Sequence, residues 1–137
     1  REDKLALIGL KGVFPLWKLP TKEIIHEFID LGFKTTVTCV NEKYLDKSFA
    51  GRVIDRDFLK DLPANVDPCG EHGEFHTFVY EGPIFKKPIA FEKGEIVYRK
   101  YSAPPKENDS SYECNSDKKT EDPFQFGFFY CDLLPIK

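Results

Sequence analysis

Between Cys69 and His76 the sequence reads CGEHGEFH, a thiol, two carboxylates and two imidazoles within eight residues. Three chemistries could use such a set. A metal ion could take Cys69, His72 and His76, with Glu71 and Glu74 nearby. His72 and His76 are four apart, the spacing that puts two ligands on one helix face. Pro68, Gly70 and Gly73 argue against a helix here. Along a strand the two imidazoles would lie more than roughly 10 Å apart, too far for one zinc ion, and only a turn at Gly73 would bring them together. A second chemistry pairs Cys69 with His72 as nucleophile and base, although no other pattern in the chain supports it. The third is a substrate-binding turn. Gly70 and Gly73 would let backbone amides face a ligand closely. Glu71 and Glu74, three apart, could grip an ammonium, a guanidinium or a quaternary amine, or order magnesium through water. The plain alternative is a polar turn whose acids are solvated.

Whatever the turn does, flanking elements must hold it. EFHTFVY, Glu74 to Tyr80, alternates as a strand, with Phe75, Thr77 and Val79 on one side and His76, Phe78 and Tyr80 on the other. Upstream, TKEIIHEFIDLG predicts a helix capped by Thr21, with Ile24, Ile25, Phe28, Ile29 and Leu31 on its apolar face and Gly32 as its stop. His26 falls on the solvent side. FKTTVTCV, Phe33 to Val40, predicts a strand. NEKYLDKSFAG predicts a short helix ending near Gly51, and DRDFLKDLP a second, capped by Asp55 and stopped by Pro63. LALIGL and GVFPLW read as short strand or extended segments, the second ending in a turn or lying at an edge because of Pro15. EGPIF reads as a turn into an edge segment, GEIVYRKY as a strand after a Lys93-Gly94 turn, and FQFGFFYCDLLP as a terminal strand. Residues 102–122 are polar and predict a long mobile loop. The sum is α+β: one small domain over 1–137, of mixed strands with two or three short helices.

A net charge of −3 gives no basic footprint for nucleic acid. No apolar run approaches the roughly 20 residues of a membrane-spanning helix. The cysteines, 39, 69, 114 and 131, match no zinc-ribbon spacing, and the expected compartment is the reducing cytoplasm. A chain without any methionine, starting at Arg1, reads as part of a longer polypeptide. A homodimer through the aromatic FQFGFFY strand is a further expectation.

DPCGEHGEFHTFVYEGPIF resembles the signature of the C-terminal half of the diphthine–ammonia ligase-like ATP pyrophosphatases, the PP-loop, adenine nucleotide alpha hydrolase-like family. PLW (Pro15 to Trp17), LGFKTTVTCV and AGRVID (Ala50 to Asp55) follow the family's order, so the resemblance runs from Leu5 to Phe91. It implies a missing N-terminal Rossmann-like lobe whose Ser-Gly-Gly-Lys-Asp-Ser loop cradles ATP. It also implies ATP and magnesium as cofactors of the full-length parent, with none for this part alone. The implied reaction adenylates a substrate carboxylate and amidates it with ammonia. Glu71, Glu74 and Trp17 would hold a small-molecule or modified-residue substrate, with Gly70, Gly73 and Thr77 completing the motif. His76 or His72 would act as a proton shuttle to the incoming amine, and Cys69 is read as a packed turn residue. The chain departs from the diphthine ligase pattern at His72, where Gly is expected, and at His76, where Glu is expected. These forms resemble members whose substrate is not established. A different class of function, a non-catalytic module binding an amine or nucleotide, fits the same turn.

Overall fold

The computed structural model describes residues 2–101 and 126–136. The loop expected over 102–122 lies outside them. The architecture is α+β: four antiparallel strands in the order β2-β1-β4-β3, with three short helices.

β1, Lys34–Asn41, organises the sheet. Its β-branched residues favour the extended backbone, and Val37 and Val40 are fully buried. β2, Phe75–Glu81, pairs along it on one side. The other side is shared. Residues 51–54 bond to its first half through Val37 N–H to the Arg52 carbonyl and Ile54 N–H to the Thr35 carbonyl, at 2.8 and 3.0 Å. β4, Phe126–Pro135, takes only Cys39 to Asn41 before running on along β3, Phe91–Tyr101. Phe126 to Tyr130 are therefore bonded to β3, and Phe128 to Tyr130 also to β1. That central stretch offers no free backbone edge to a second copy. Phe78 and Tyr80 of β2 touch Phe91 of β3, at ring separations of 5.8 and 5.1 Å. These strands stand at opposite ends of the order, so the sheet must curl to bring them together.

The core gathers around Phe58 of helix α3, Arg56–Asp61. Its ring meets Phe49 and Phe75 edge-on at 5.7 and 5.8 Å, geometry the aromatic quadrupole favours. Asp55 caps α3 as expected, accepting the Phe58 N–H at 2.8 Å. Helix α2, Thr21–Asp30, sends Ile25 into the same cluster. It ends where Gly32 turns to φ +83°.

GVFPLW ends in a turn as expected, over Pro15 to Lys18, with Trp17 N–H bonded to the Phe14 carbonyl. Four expectations are corrected. LALIGL does not form a strand: Glu2–Ala6 is helix α1, followed by turns. NEKYLDKSFAG yields only a 3-10 turn at Lys47–Phe49, because Asp46 takes the Ser48 N–H and starts the turn late. No turn falls at Lys93-Gly94, since β3 runs through it with a register shift before Ile96. Thr21 does not cap α2. Pro20 occupies that position with no side-chain bond, and the Thr21 hydroxyl is engaged elsewhere.

Candidate functional site

The turn from Asp67 to Glu74 is closed by its own acids. Asp67 Oδ1 accepts the N–H groups of Cys69 and Glu71 at 2.8 and 3.5 Å. Glu74 reaches back, accepting Asp67 N–H on Oε1 at 3.0 Å and His72 N–H on Oε2 at 2.8 Å. Gly70 N–H donates to the Asp67 carbonyl and Gly73 N–H to the Gly70 carbonyl, at 2.9 and 3.2 Å. The glycines are needed for shape. Gly70 has φ +70°, and a Cβ there would lie 2.9 Å from the Phe75 carbonyl oxygen. Gly73 has φ +82°, a region that disfavours side chains.

The expectation that these glycines present free amides to a ligand is therefore corrected: both amides are bonded inside the turn. The paired grip of Glu71 and Glu74 is also not formed. Glu71 is exposed, whereas Glu74 is 1% exposed with its carboxylate held by the turn. Burial pushes the Glu74 carboxyl up, but the N–H groups of Asp67, Glu74 and His72 outweigh it and hold it below the ordinary glutamate value. Asp67 follows the same balance, held low by the Thr21 hydroxyl and the Cys69 and Glu71 amides against the cost of burial. Asp67 is the residue that sequence reasoning missed, although Asp-Pro-x-Gly is the signal of a side-chain-closed turn.

Cys69 is packed as a thiol. Burial, with the Asp67 and Glu71 charges, pushes its thiol up to about 11, and Sγ donates to the Thr21 carbonyl at 3.3 Å. Among the described residues no three His, Cys, Asp or Glu side chains converge to hold a metal ion.

Trp17 and Glu71, more than fifty positions apart in sequence, border one open cavity of about 510 Å³. Its walls are the segment Val13 to Leu19, the first turns of α2 at Thr21 and Ile24, and Cys69 with Glu71 on the 67–74 turn. A second open space of about 610 Å³ lies against Trp17 and Phe14, beside Glu2 and Asp3. Trp17 is 74% exposed. The remaining expected residues are elsewhere. His72 is exposed, with Nδ1 3.3 Å from Glu74 Oε1. His76 and Thr77 are exposed on β2, opposite Cys39 and Val37. Neither histidine lines the cavity, nor do Gly70, Gly73, Glu74 or Thr77.

Residues 20–103 match the family model of the diphthamide synthase C-terminal domain. The chain is 29% identical over 101 residues to a diphthine–ammonia ligase of Schizosaccharomyces pombe, covering 70% of this chain and 16% of that one. Against the Homo sapiens diphthine–ammonia ligase it is 28% identical over 101 residues, covering 70% and 38%. Against that of Danio rerio it is 30% identical over 104 residues, covering 70% and 40%. The chain thus spans less than half the length of the curated relatives it matches.

Proposed function

The chain belongs to the diphthamide synthase C-terminal domain family, and on that premise we propose that it is the substrate-recognition domain of an ATP-dependent, amide-forming ligase. The supporting observation is the cavity of about 510 Å³ whose lining includes both Trp17 and Glu71. An aromatic face and a carboxylate attract an ammonium group, and a quaternary one most readily, because it offers no hydrogen bonds that must be replaced. Lys18 also lines the cavity, so the cation would sit on the Trp17 and Glu71 side of it, and the turn's amides, already bonded to carboxylates and carbonyls, offer an anion no donor.

In the proposed reaction the substrate's carboxylate oxygen attacks the α-phosphorus of ATP and pyrophosphate leaves. Ammonia then adds to the acyl carbon, AMP departs, and one proton is lost from the new amide nitrogen. His72 is a candidate acceptor for that proton only where the reacting group extends beyond the cavity, since it lies outside the lining; its ring is exposed, with Nδ1 3.3 Å from the Glu74 carboxylate. His76, exposed on the adjoining strand, is the second candidate. ATP is assigned to a nucleotide-binding lobe of the same polypeptide. The exposed apolar side chains of Leu7, Ile8, Val13, Leu16 and Trp17 support such a neighbour. Magnesium, which binds together with nucleotide phosphates, is assigned with ATP to that lobe; among the described residues no three His, Cys, Asp or Glu side chains converge, and no step here runs through it. The reading carries a cytoplasmic setting with it; among the described residues no helix is long and apolar enough to cross a membrane.

The test is a titration of this chain with tetramethylammonium, read by the fluorescence of Trp17, the one tryptophan in the sequence. Saturable quenching that weakens about tenfold in Glu71→Gln, the loss of one ion contact, is expected. No saturation, or none that depends on Glu71, rejects the cation site. Pyrophosphate release by the whole source polypeptide then separates ligase from a domain that only binds.

A further inference from the structure

We propose that the hydrogen bond between Thr21 and Asp67 sets the separation of Trp17 and Glu71, which makes Thr21 and Asp67 positioning residues for the cation site; this rests on the reading above. Thr21 Oγ1 donates to Asp67 Oδ2 at 2.6 Å, and Cys69 Sγ donates back to the Thr21 carbonyl at 3.3 Å. Two bonds of opposite sense thus clip the start of α2 to the turn. Trp17 precedes Thr21 by four residues and Glu71 follows Asp67 by four, so the clip joins the α2 end of the otherwise loose Val13 to Leu19 wall to the turn that carries Glu71.

Three further observations carry the assignment. A threonine at a helix start ordinarily spends its hydroxyl on the helix's own amides. Here the Pro20 position makes no side-chain bond and Thr21 reaches 46 positions along the chain instead. The other oxygen of Asp67 holds the amides of Cys69 and Glu71, so one carboxylate touches both the helix start and the residue carrying the site's charge. The cavity runs along this junction, with Thr21, Cys69 and Glu71 in its lining. A hydrogen bond to an ionised carboxylate is short and directional, which is what holding two walls in register requires.

The variant that tests this is Thr21→Val, which keeps the branched shape and removes the hydroxyl, with Thr21→Ser as the rescue. Without ligand, the Trp17 indole N–H and Glu71 amide resonances should both move in Thr21→Val and return toward wild type in Thr21→Ser. With tetramethylammonium, the affinity should fall about tenfold in Thr21→Val, the scale of one charge-assisted bond, and recover in Thr21→Ser. Unmoved resonances, or unchanged affinity in Thr21→Val, overturn the proposal. If the wild-type protein binds no tetramethylammonium, the cation reading fails while the ligand-free resonances still decide the clip. Should Thr21→Val not fold, Thr21→Ala, which removes the hydroxyl and leaves Asp67 and its two amide bonds in place, is read in the same way.

Discussion

From Asp67 to Gly73, every backbone N–H except that of Pro68, which has none, is bonded within the 67–74 turn. The facing wall, Val13 to Leu19, is held by two turn bonds, from Trp17 and Leu19, and leaves Val13, Leu16 and Trp17 largely exposed. Lys18 there has φ +69°, unusual for a side chain with a Cβ. One wall is saturated and anchored: the Glu74 carbonyl takes the Asn41 N–H at the end of β1, at 2.9 Å. The other is apolar surface without a core of its own. The difference teaches how the labour divides. The saturated wall fixes where negative charge stands, and the apolar wall supplies contact area to whatever covers it. Residues that look alike in sequence, Glu71 and Glu74, consequently do opposite things.

The sharpest way to break that contrast is Glu74→Ala. Two amides lose a charged acceptor in a buried site, and a loss of about 3 kcal/mol is expected, read as a lower urea midpoint. A drop no larger than that of Glu71→Ala would mean that the turn is not held by its acid. Next is Gly70→Ala, which meets both the positive φ and the Phe75 carbonyl. About 2 kcal/mol is expected from such backbone strain, with Gly73→Ala costing less because nothing lies within 4 Å of its added carbon.

Acid should probe the same wall. Asp67 and Glu74 are held below their ordinary values of 3.8 and 4.5. Their folded forms bind fewer protons than the unfolded chain, so the stability they add is complete above those values. It is lost as pH falls from them through the lower folded values. Asp67→Asn with Glu74→Gln should flatten that acid limb in a pH series of melting temperatures; an unaltered limb would place the acid sensitivity elsewhere. The smallest effect belongs to the other wall. Trp17→Ala should change stability by less than about 0.5 kcal/mol while abolishing the aromatic half of the cation site. A large stability loss would show that this wall is not the unanchored one.

Sequence pattern revealed the sheet and two of the helices because β-branched runs and capped apolar periodicity act locally. KTTVTCV extends by itself, and Asp55 caps the helix that starts at the next residue, through an N–H three residues on. It misled where partners are distant. Thr21 had every local mark of a cap, yet its hydroxyl is claimed by Asp67. LALIGL was short enough for helix and strand to look alike. CGEHGE pointed to the turn but not to which of its residues face in and which face out. Which of two glutamates is buried depends on the closure of a turn begun at Asp67, seven residues before Glu74.

The place of β4 has a consequence for the chain as it is made. β1 is synthesised early, but its partner beyond Cys39 is drawn from residues 128–130. Until those residues leave the ribosome, that part of β1 is an open hydrogen-bonding edge beside apolar side chains, a surface on which strands of other molecules can add. The pairing spans some ninety positions and closes a large loop, the kind of contact that slows folding. Nascent chains halted before residue 126 should therefore need a holding chaperone, and those extended past residue 135 should not.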